Sequence, residues 1–400
     1  MRATQRQLLW FPFIFVLYEM ASYLSNDAYL PAMPLIKIDL NTTDDMVLTS
    51  LSAWFLGGCL VQLFVGPISD YIGRRKVLLS GGLVFILSTI ACGLSTSVHW
   101  LISMRFIEGT TIATMAVTGY ATIHELFDSK QAIKTIAHIN SISILAPAFG
   151  PLLGAMILQW SSWQMIFYIL ALWALLPLIL LKWDMPETAA VKQTPLNLKS
   201  ILGSYKRIIS NKRFMLYLIS SRTIFSALIV WLSAGPFLLY ETYKMDGLLF
   251  GLSQLFVFGA YIVGTRINSS LIESFKLHTI LWLGWGFCLS GCAYSIIYLL
   301  LCGSKFYFIL PGLMLVTLGS GLSLPIYSRL AIDQSTEAMG PKVAMTTFSM
   351  TLFGVIASMF VNLFFTNSLM SMILIISSFI LAGFTIFSLG FIFKLIGKEK

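Results

Sequence analysis

LLWFPFIFVLYEMASYLSNDAYLPAMPLI, residues 8–36, is almost wholly apolar apart from two carboxylates, Glu19 and Asp27. This composition predicts a membrane-spanning helix, because about 20 apolar residues cross a hydrocarbon core about 30 Å thick. At about 1.5 Å per residue, Glu19 lies roughly 16 Å along the helix, near mid-membrane, and Asp27 lies about 12 Å further on. Acids inside a bilayer are costly and mark functional sites by default.

The two acids share one polar side of this helix. Asp27 is about 80° around the axis from Glu19, and Tyr23 lies one turn from each. Ser22 and Asn26 widen the same side. We therefore expect the proton- and substrate-handling helix of a transporter. The alternative is that both acids are only paired with a buried arginine.

The whole composition is that of a membrane protein. Hydrophobic residues make up 57% of the 400 positions and charged residues 11%, whereas soluble domains carry about 25% charged residues. Apolar windows predict an all-α integral membrane protein with twelve transmembrane helices in two six-helix halves that rock about a central cavity. The predicted spans are 8–36, 47–69, 77–96, 99–124, 133–159, 163–182, 213–240, 248–271, 279–301, 306–331, 342–366 and 370–394. The predicted domains are residues 1–183 and 213–400, joined by a cytoplasmic linker, 184–212.

The distribution of charge predicts topology. The net charge is +9, and most of the 26 Lys and Arg residues fall in loops on one side of the predicted spans. Only Lys37, Lys244 and Lys305 fall in loops on the other side. By the positive-inside rule both termini are cytoplasmic. The basic balance therefore indicates no nucleic-acid partner. The five cysteines, in or next to apolar spans, are expected to be small buried residues and indicate no disulfide, metal or cofactor.

The linker contains a basic amphipathic pattern, LKSILGSYKRII, at residues 198–209. It predicts either a helix on the inner leaflet or a solvated basic linker.

A charged turn, GPISDYIGRRK, connects the second and third spans at residues 66–76. Gly66 and Gly73 allow helix ends to approach closely and turn. Asp70 with Arg74 and Arg75 is suited to an ion-pair latch. An isolated basic turn would only anchor the chain at the membrane surface, but the spacing G-x-x-x-D-x-x-G-R-R is more specific.

This turn resembles the signature loop of the major facilitator superfamily. RFIEG, residues 105–109, resembles the R-x-x-Q-G element of that superfamily, with Glu108 in place of glutamine. APAFGPLLG, residues 146–154, resembles the antiporter motif, with Ala146 in place of its leading glycine. FPFIFVLYEMASYLSND, GYATIHELF, MPET and WLSAGP are similar to the twelve-helix drug/proton antiporters of the MdfA type, related to the Bcr/CflA exporters. The motif positions in span 5 are Pro147, Gly150, Pro151 and Gly154.

The resemblance implies roles for the charged residues. Glu19 and Asp27 would couple proton entry to substrate release, with Asp27 as the obligatory proton site and Glu19 in substrate recognition. Arg105 would face the cavity and tune the acids, unless Glu108 at i+3 satisfies it locally. The cytoplasmic gate would be formed by Gly66, Asp70, Gly73, Arg74, Arg75, Glu125 and Asp128. Pairs at the surface stabilise by only about 0–1 kcal/mol each, so several would have to form together.

Further side chains are candidates for a substrate pocket. Tyr23, Asn26, Trp231 and Tyr327 would line it, although most aromatic residues in such a protein pack in the core or against lipid. His138 and Asn140 depart from the apolar pattern of the MdfA type. They indicate a more polar substrate, a proton-path histidine, or hydrogen bonds between helices.

The predicted function is proton-coupled export of small, lipophilic cationic compounds such as drugs or dyes, by alternating access. The alternative is a dedicated metabolite exporter or proton symporter on the same fold, for a siderophore or an amino-acid-like compound. The four histidines are scattered over different segments, so we expect no enzyme. The expected partners are the small-molecule substrate, protons and the lipid bilayer, and the expected state is a monomer without cofactor or metal.

Overall fold

The computed structural model describes residues 4–127, 131, 135, 139, 142–143, 145–189, 198–245, 247–337 and 339–393, all helix, turn or irregular segment. The chain forms two compact units, Met1–Leu198 and Lys199–Lys400. Three predicted site residues, Asp128, His138 and Asn140, lie outside the described residues.

The first unit contains seven described α-helices. The first helix begins at a capping box, in which Thr4 Oγ1 accepts from the backbone N–H of Gln7 and the Gln7 side chain accepts from the N–H of Thr4. Ser97 caps the fifth helix in the same position-specific way by accepting from the N–H of Trp100. The helices are α1 (Gln5–Asp27), α2 (Met33–Asp39), α3 (Asp44–Ile72), α4 (Arg74–Gly93), α5 (Val98–Leu126), α6 (Leu145–Trp160) and α7 (Gln164–Asp184).

The second unit also contains seven described α-helices. A π-helical turn, Leu238–Thr242, extends the second of them. Asn211 caps that same helix by accepting from the N–H groups of Arg213 and Phe214. The helices are α8 (Leu198–Ser210), α9 (Lys212–Phe237), α10 (Gly247–Leu271), α11 (Leu277–Leu301), α12 (Leu310–Asp333), α13 (Met339–Phe364) and α14 (Leu369–Ile392).

Helix packing follows one pattern in both units. In the first, α1 packs on α6 and α7, α4 packs on α5 and α7, and α3 packs on α5. In the second, α9 packs on α13 and α14, α11 packs on α12 and α14, and α10 packs on α12. Taken in chain order, α1, α3, α4, α5, α6 and α7 therefore correspond to α9, α10, α11, α12, α13 and α14. The packing therefore repeats, although the sequences of the two halves show little similarity.

Ten helices among the described residues are long and apolar enough to cross a membrane, by length and composition. The predicted fourth span corresponds to α5, which has 29 residues and carries Arg105 and Glu108 within it. The predicted fifth span, 133–159, is described as a continuous helix only from Leu145. The fold is therefore all-helical and rich in membrane-length helices over the described residues.

The predicted first span is confirmed as one membrane-length segment, Gln5–Asp39, but the expectation of one continuous α-helix over residues 8–36 is wrong for its last third. Helix α1 ends at Asp27, a short 3₁₀ turn covers Leu30–Ala32, and α2 begins at Met33. Pro31 and Pro34 explain the break, because proline lacks an N–H and disfavours helix in the residue before it. Asp27 is consequently the last residue of a helix.

Two smaller expectations were tested by the fold. The basic amphipathic segment is a helix, α8, with Tyr205 and Ile208 buried and Leu202 and Ile209 exposed. The expectation that all cysteines are buried is wrong for Cys302, which is exposed because it follows the last residue of α11.

Candidate functional site

Glu19 is fully buried in the first unit and is held by hydroxyl groups. Tyr120 of α5 donates to Glu19 Oε1 at 2.7 Å, and Ser143 donates to Glu19 Oε2 at 2.9 Å. In the part of the chain that the structure describes, Glu19 has no cationic partner. A hydroxyl can donate to a carboxylate or rotate to accept from a protonated carboxyl, so this setting suits both protonation states.

Asp27 is 6% exposed and is contacted through its neighbour Asn26. Asn26 Nδ2 donates to Asp27 Oδ1 at 3.3 Å, while Asn26 Oδ1 accepts from Arg105 Nη2 at 3.0 Å. The arginine thus fixes the orientation of the amide, whose NH₂ group is directed at the acid. Arg105 is near enough to interact electrostatically with Asp27, but the two form no ion pair.

The charge of Arg105 is matched within its own helix. Arg105 Nη1 donates to Glu108 Oε2 at 2.6 Å, and both side chains are 0% exposed. Thr89 of α4 donates to Glu108 Oε1 at 3.0 Å. The guanidinium lies over the ring of Tyr29, 4.7 Å from its centroid. The local pairing considered from the sequence is therefore present, and the alternative of an arginine paired with Glu19 or Asp27 is not.

The glycines of the antiporter motif bring α6 against the end of α1. A Cβ added to Gly154 would lie 1.8 Å from the carbonyl oxygen of Ala28, and one added to Gly150 would lie 2.7 Å from Cβ of Asp27. Pro151 lies between them inside α6, and Pro147 lies in its first turn. The motif thus provides close packing beside the proton-site candidate.

The signature turn forms a cluster of ion pairs, all within the first unit. Arg74 Nη2 contacts Asp70 Oδ1 at 2.6 Å and Glu125 Oε1 at 2.9 Å, and Arg74 Nη1 donates to Ser69 Oγ at 2.7 Å. Thr188 donates to Glu125 Oε2 at 2.5 Å. The predicted contact of Glu125 with the arginine pair is therefore made by Arg74. Gating by this cluster remains a prediction.

Glu187 holds the same turn from the other side. Its Oε1 accepts from the backbone N–H of Arg74 at 2.8 Å and its Oε2 from the N–H of Arg75 at 3.3 Å. A carboxylate at these orphan donors caps α4 and interacts favourably with the helix dipole. Gly73 has φ of 113° and a Cβ there would lie 2.5 Å from Glu187 Oε2. Glycine is thus required at 73, whereas a Cβ on Gly66 would make only ordinary contact with Val117 at 3.7 Å.

The two predicted pocket residues of the second unit are enclosed by its own helices. Trp231 is 2% exposed, donates to Gln254 Oε1 at 3.0 Å and stacks on Phe306. Tyr327 is 0% exposed and its hydroxyl accepts from Trp285 Nε1 at 2.7 Å. Their role in substrate binding remains a prediction. Tyr23, in contrast, is half-buried in the first unit, near enough to Glu19 and Asp27 to interact with both.

Two contributors to these contacts, Ser143 and Glu187, were not predicted from the sequence. Ser143 was one of many small polar residues in an apolar span. Glu187 belongs to the MPET segment, which resembles the family. Its capping role depends on the start of α4 lying beside the end of α7.

The sequence profile described as "Major Facilitator Superfamily" matches residues 15–358 of the chain. The chain belongs to this superfamily. The predicted family is thereby confirmed, and the chain is a multi-pass membrane protein of a transporter family, which indicates a transporter of small molecules and not an enzyme.

Three named relatives align with most of this chain. The chain is 32% identical over 391 residues to the chloramphenicol resistance protein CraA of Acinetobacter baumannii, covering 96% of this chain and 93% of that protein. It is 30% identical to the multidrug transporter MdfA of Yersinia pestis over 87% of this chain and 85% of that one. It is 32% identical to the multidrug resistance protein MdtM of Salmonella typhimurium over 83% and 80%.

Solved structures of other transporters share the fold. The crystal structure of a D-xylose-proton symporter superposes with a TM-score of 0.75 at 14% identity, covering 94% of this chain and 96% of that one. A bacterial homologue of the human lysosomal transporter Spinster, in an inward-facing, unoccupied conformation, gives a TM-score of 0.71 at 11% identity over 97% and 96%. At these identities the likeness concerns the fold alone.

Proposed function

We propose that the chain is a proton-coupled exporter of small, lipophilic cationic compounds such as drugs or dyes. It works as an antiporter by alternating access, with twelve membrane spans in a bacterial inner membrane and both termini cytoplasmic. The names of its relatives CraA, MdfA and MdtM support a drug-like substrate.

One observation carries the proposal: two buried carboxyl groups on α1 form no ion pair with a cation among the described residues. Glu19 accepts only from the hydroxyls of Tyr120 and Ser143, and Asp27 accepts from the Asn26 amide. Arg105, which interacts electrostatically with Asp27, is paired with Glu108 at 2.6 Å. A buried acid without a permanent counter-charge is stabilised either by a proton or by an arriving cation, and this exchange is what antiport requires.

Asp27 and Glu19 have different roles in the proposed cycle. Asp27 lies at the helix end, where α6 packs closely and Asn26 presents its amide, and it carries the obligatory proton. Glu19 lies a little over two turns earlier among hydroxyls that adapt to either protonation state, and it attracts the cationic group of the substrate. In the cycle, both acids release protons to the cytoplasm as substrate binds, and periplasmic protons then displace the substrate outward. Several contacts of Arg74 form and break together at the cytoplasmic side.

Proteoliposomes containing the purified protein test the coupling. Under an imposed pH gradient, Asp27→Asn should abolish proton-coupled dye movement, because an amide at this position exchanges no proton. Glu19→Gln should mainly weaken cation binding, since it removes charge and keeps a hydrogen-bond acceptor. Glu273→Gln, an exposed acid between α10 and α11, is the matched control and should transport like the wild type.

Wild-type transport by both α1 variants would refute the assignment of the two acids. Parallel panels of cationic dyes and polar metabolites separate export of lipophilic cations from the dedicated metabolite transporter. Movement of one polar metabolite, with no cation moved against a pH gradient, would refute the drug-export proposal.

A further inference from the structure

A second buried arginine, Arg222, lies in the middle of α9. It follows the first residue of that helix, Lys212, by ten positions, which is about 15 Å at about 1.5 Å per residue. This distance is close to half of a hydrocarbon core about 30 Å thick. Arg222 is 7% exposed, and α9 is the most enclosed of the membrane-length helices.

The described contacts of Arg222 are all with neutral groups on α13. Arg222 Nε donates to Ser349 Oγ at 2.9 Å, and Nη2 donates to the carbonyl oxygen of Thr346 at 3.1 Å. Ser349 in turn donates to the same carbonyl at 2.7 Å. No carboxylate contacts the guanidinium within the part of the chain that the structure describes. Nη1 has no hydrogen-bond partner among the described residues, because the two hydrogen bonds of this guanidinium use Nε and Nη2.

The contrast with Arg105 shows what is missing. Both arginines lie deep in membrane-length helices, but Arg105 is neutralised by Glu108 at 2.6 Å. Hydroxyl and carbonyl oxygens orient the Arg222 guanidinium without cancelling its charge. A buried cation without a counter-charge is expensive, and ionisable residues at membrane depth are retained for function.

The geometry of the guanidinium indicates which ligand would complete it. Ser349 and Thr346 fix the edge formed by Nε and Nη2. Of the five N–H groups of the guanidinium, both on Nη1 and one on Nη2 then have no partner among the described residues. Arginine presents its N–H groups in a planar fork that matches the oxygens of a carboxylate.

We propose that Arg222 binds the carboxylate of exported compounds, so that the substrates include amphipathic zwitterions as well as cations. The substrate class in this inference rests on the proposed export function. The site itself is argued from residues of the second unit alone. A purely structural arginine that only joins α9 to α13 is the alternative.

A matched pair of dyes tests the site. Rhodamine B carries a free carboxylate, and its methyl ester is the same cation without that group. Binding to the purified protein in detergent is measured by fluorescence polarisation for the wild type, Arg222→Gln and Arg222→Lys. Arg213→Gln removes an exposed charge near the start of the same helix and is the control.

We expect Arg222→Gln to raise the Kd for rhodamine B about tenfold or more, the scale set by one hydrogen bond to a charged group. The Kd for the methyl ester should change less than about twofold, and Arg222→Lys should restore binding of the acid in part. Equal weakening for both dyes would show a structural role and overturn the proposal, as would unchanged binding of the acid or its failure to bind the wild type.

A second readout needs only the wild-type protein and so does not depend on the folding of a variant. Phenylglyoxal modifies accessible arginines, and peptide mass spectrometry reports the extent at Arg222. Rhodamine B should slow modification at Arg222 and the ester should not; equal rates with both would overturn the proposal. Arg222-dependent binding of rhodamine B without proton-driven export of either dye would refute the export function and leave the site in place.

Discussion

At the scale of single residues, Glu108 changes the role of a buried arginine. The superfamily element resembled by residues 105–109 has glutamine at this position, whereas here a carboxylate pairs with Arg105 at 2.6 Å. Arg105 retains two further contacts, to the Asn26 amide and to the Ser25 carbonyl at 3.2 Å. The pair therefore neutralises charge while the same guanidinium orients Asn26 toward Asp27.

Removing one member of this pair should destabilise the protein strongly. In Glu108→Leu the arginine remains buried without its counter-charge, and breaking a buried pair in this way costs about 3–5 kcal/mol. The double variant Arg105→Met/Glu108→Leu replaces both charges by apolar groups and should recover most of that loss. Thermal unfolding of the purified protein in detergent measures both effects.

The same two variants separate stability from function. The double variant should fold and yet transport poorly, because Asn26 has lost the donor that orients its amide. If Glu108→Leu unfolds at the wild-type temperature, the ion pair does not stabilise the fold. Full transport by the double variant would contradict the positioning role of Arg105.

Some residue contacts could be predicted from the sequence and others could not. The Arg105–Glu108 pair follows from i,i+3 spacing on one helix, and the separation of Glu19 from Asp27 follows from helix geometry. Ser143 could not be predicted, because its contact with Glu19 depends on how two distant helices pack. The capping of α4 by Glu187 depends on tertiary packing for the same reason.

At the scale of elements, the packing of α6 against the end of α1 depends on Gly154. A methyl group there would lie 1.8 Å from the Ala28 carbonyl, so the backbones must separate. We expect Gly154→Ala to cost about 1–3 kcal/mol, the range for overpacking, and to reduce transport because Asp27 lies at this contact. Gly259→Ala in α10 is the control, since nothing lies within 4 Å of its added Cβ.

Thermal unfolding and proteoliposome transport of these two glycine variants decide the point. Equal stability of Gly154→Ala and Gly259→Ala would show that α1 and α6 tolerate a wider separation. A Gly154→Ala variant that is destabilised but transports at the wild-type rate would show that the contact serves the fold alone.

Helix α8 is attached to the second unit by an ion pair outside the membrane-spanning segments. Arg207 Nε and Nη2 contact the two oxygens of Glu337 at 2.6 and 3.1 Å. The hydrogen bond from Arg207 lowers the pKa of the Glu337 carboxyl below its usual range. A carboxyl whose folded-state pKa is lowered stabilises the fold above its ordinary pKa and loses that contribution as the pH falls through the lowered value.

Hydrogen exchange of α8 measures this attachment. At neutral pH, Glu337→Gln should speed exchange of the α8 amides, and high salt should do the same in the wild type by screening an exposed pair. After correction for intrinsic rates, exchange should also rise as the pH falls below the ordinary range for glutamate. Glu273→Gln is the control, and identical protection of α8 in all these conditions would show that Tyr205 and Ile208 hold the helix without the ion pair.

The first predicted span shows where element-level prediction fails. Hydropathy continues without interruption from residue 8 to residue 36, so it predicted one helix. The α-helix instead ends at Asp27 and is followed by a 3₁₀ turn and a short helix, because Pro31 and Pro34 each remove an N–H donor from the helical hydrogen bonds. Proline spacing is a weaker signal than hydropathy, yet here it marks the end of the helix that carries both acids.

At the scale of the whole molecule, the two units repeat one order of helix packing that the sequence shows only faintly. Hydropathy and length predicted most helix boundaries to within a few residues. The repeat itself depends on which helix faces meet, with glycines at close contacts in each unit, such as Gly109 against the Trp54 carbonyl and Gly321 against the Tyr261 carbonyl. Topology, in contrast, is encoded by loop charges and can be tested directly.

The distribution of lysine and arginine predicts that both termini lie in the cytoplasm, which requires an even number of spans. Ten described helices have membrane length and composition, and α5 with its 29 residues and the partly described fifth span would make twelve. Green fluorescent protein fused after Lys400 should therefore fluoresce in a bacterial host, whereas alkaline phosphatase fused after Lys244 should be active. Active phosphatase after Lys400 would place the C-terminus in the periplasm. It would remove the basis for placing Arg74 and Glu125 at the cytoplasmic side, because that assignment depends on the same charge rule.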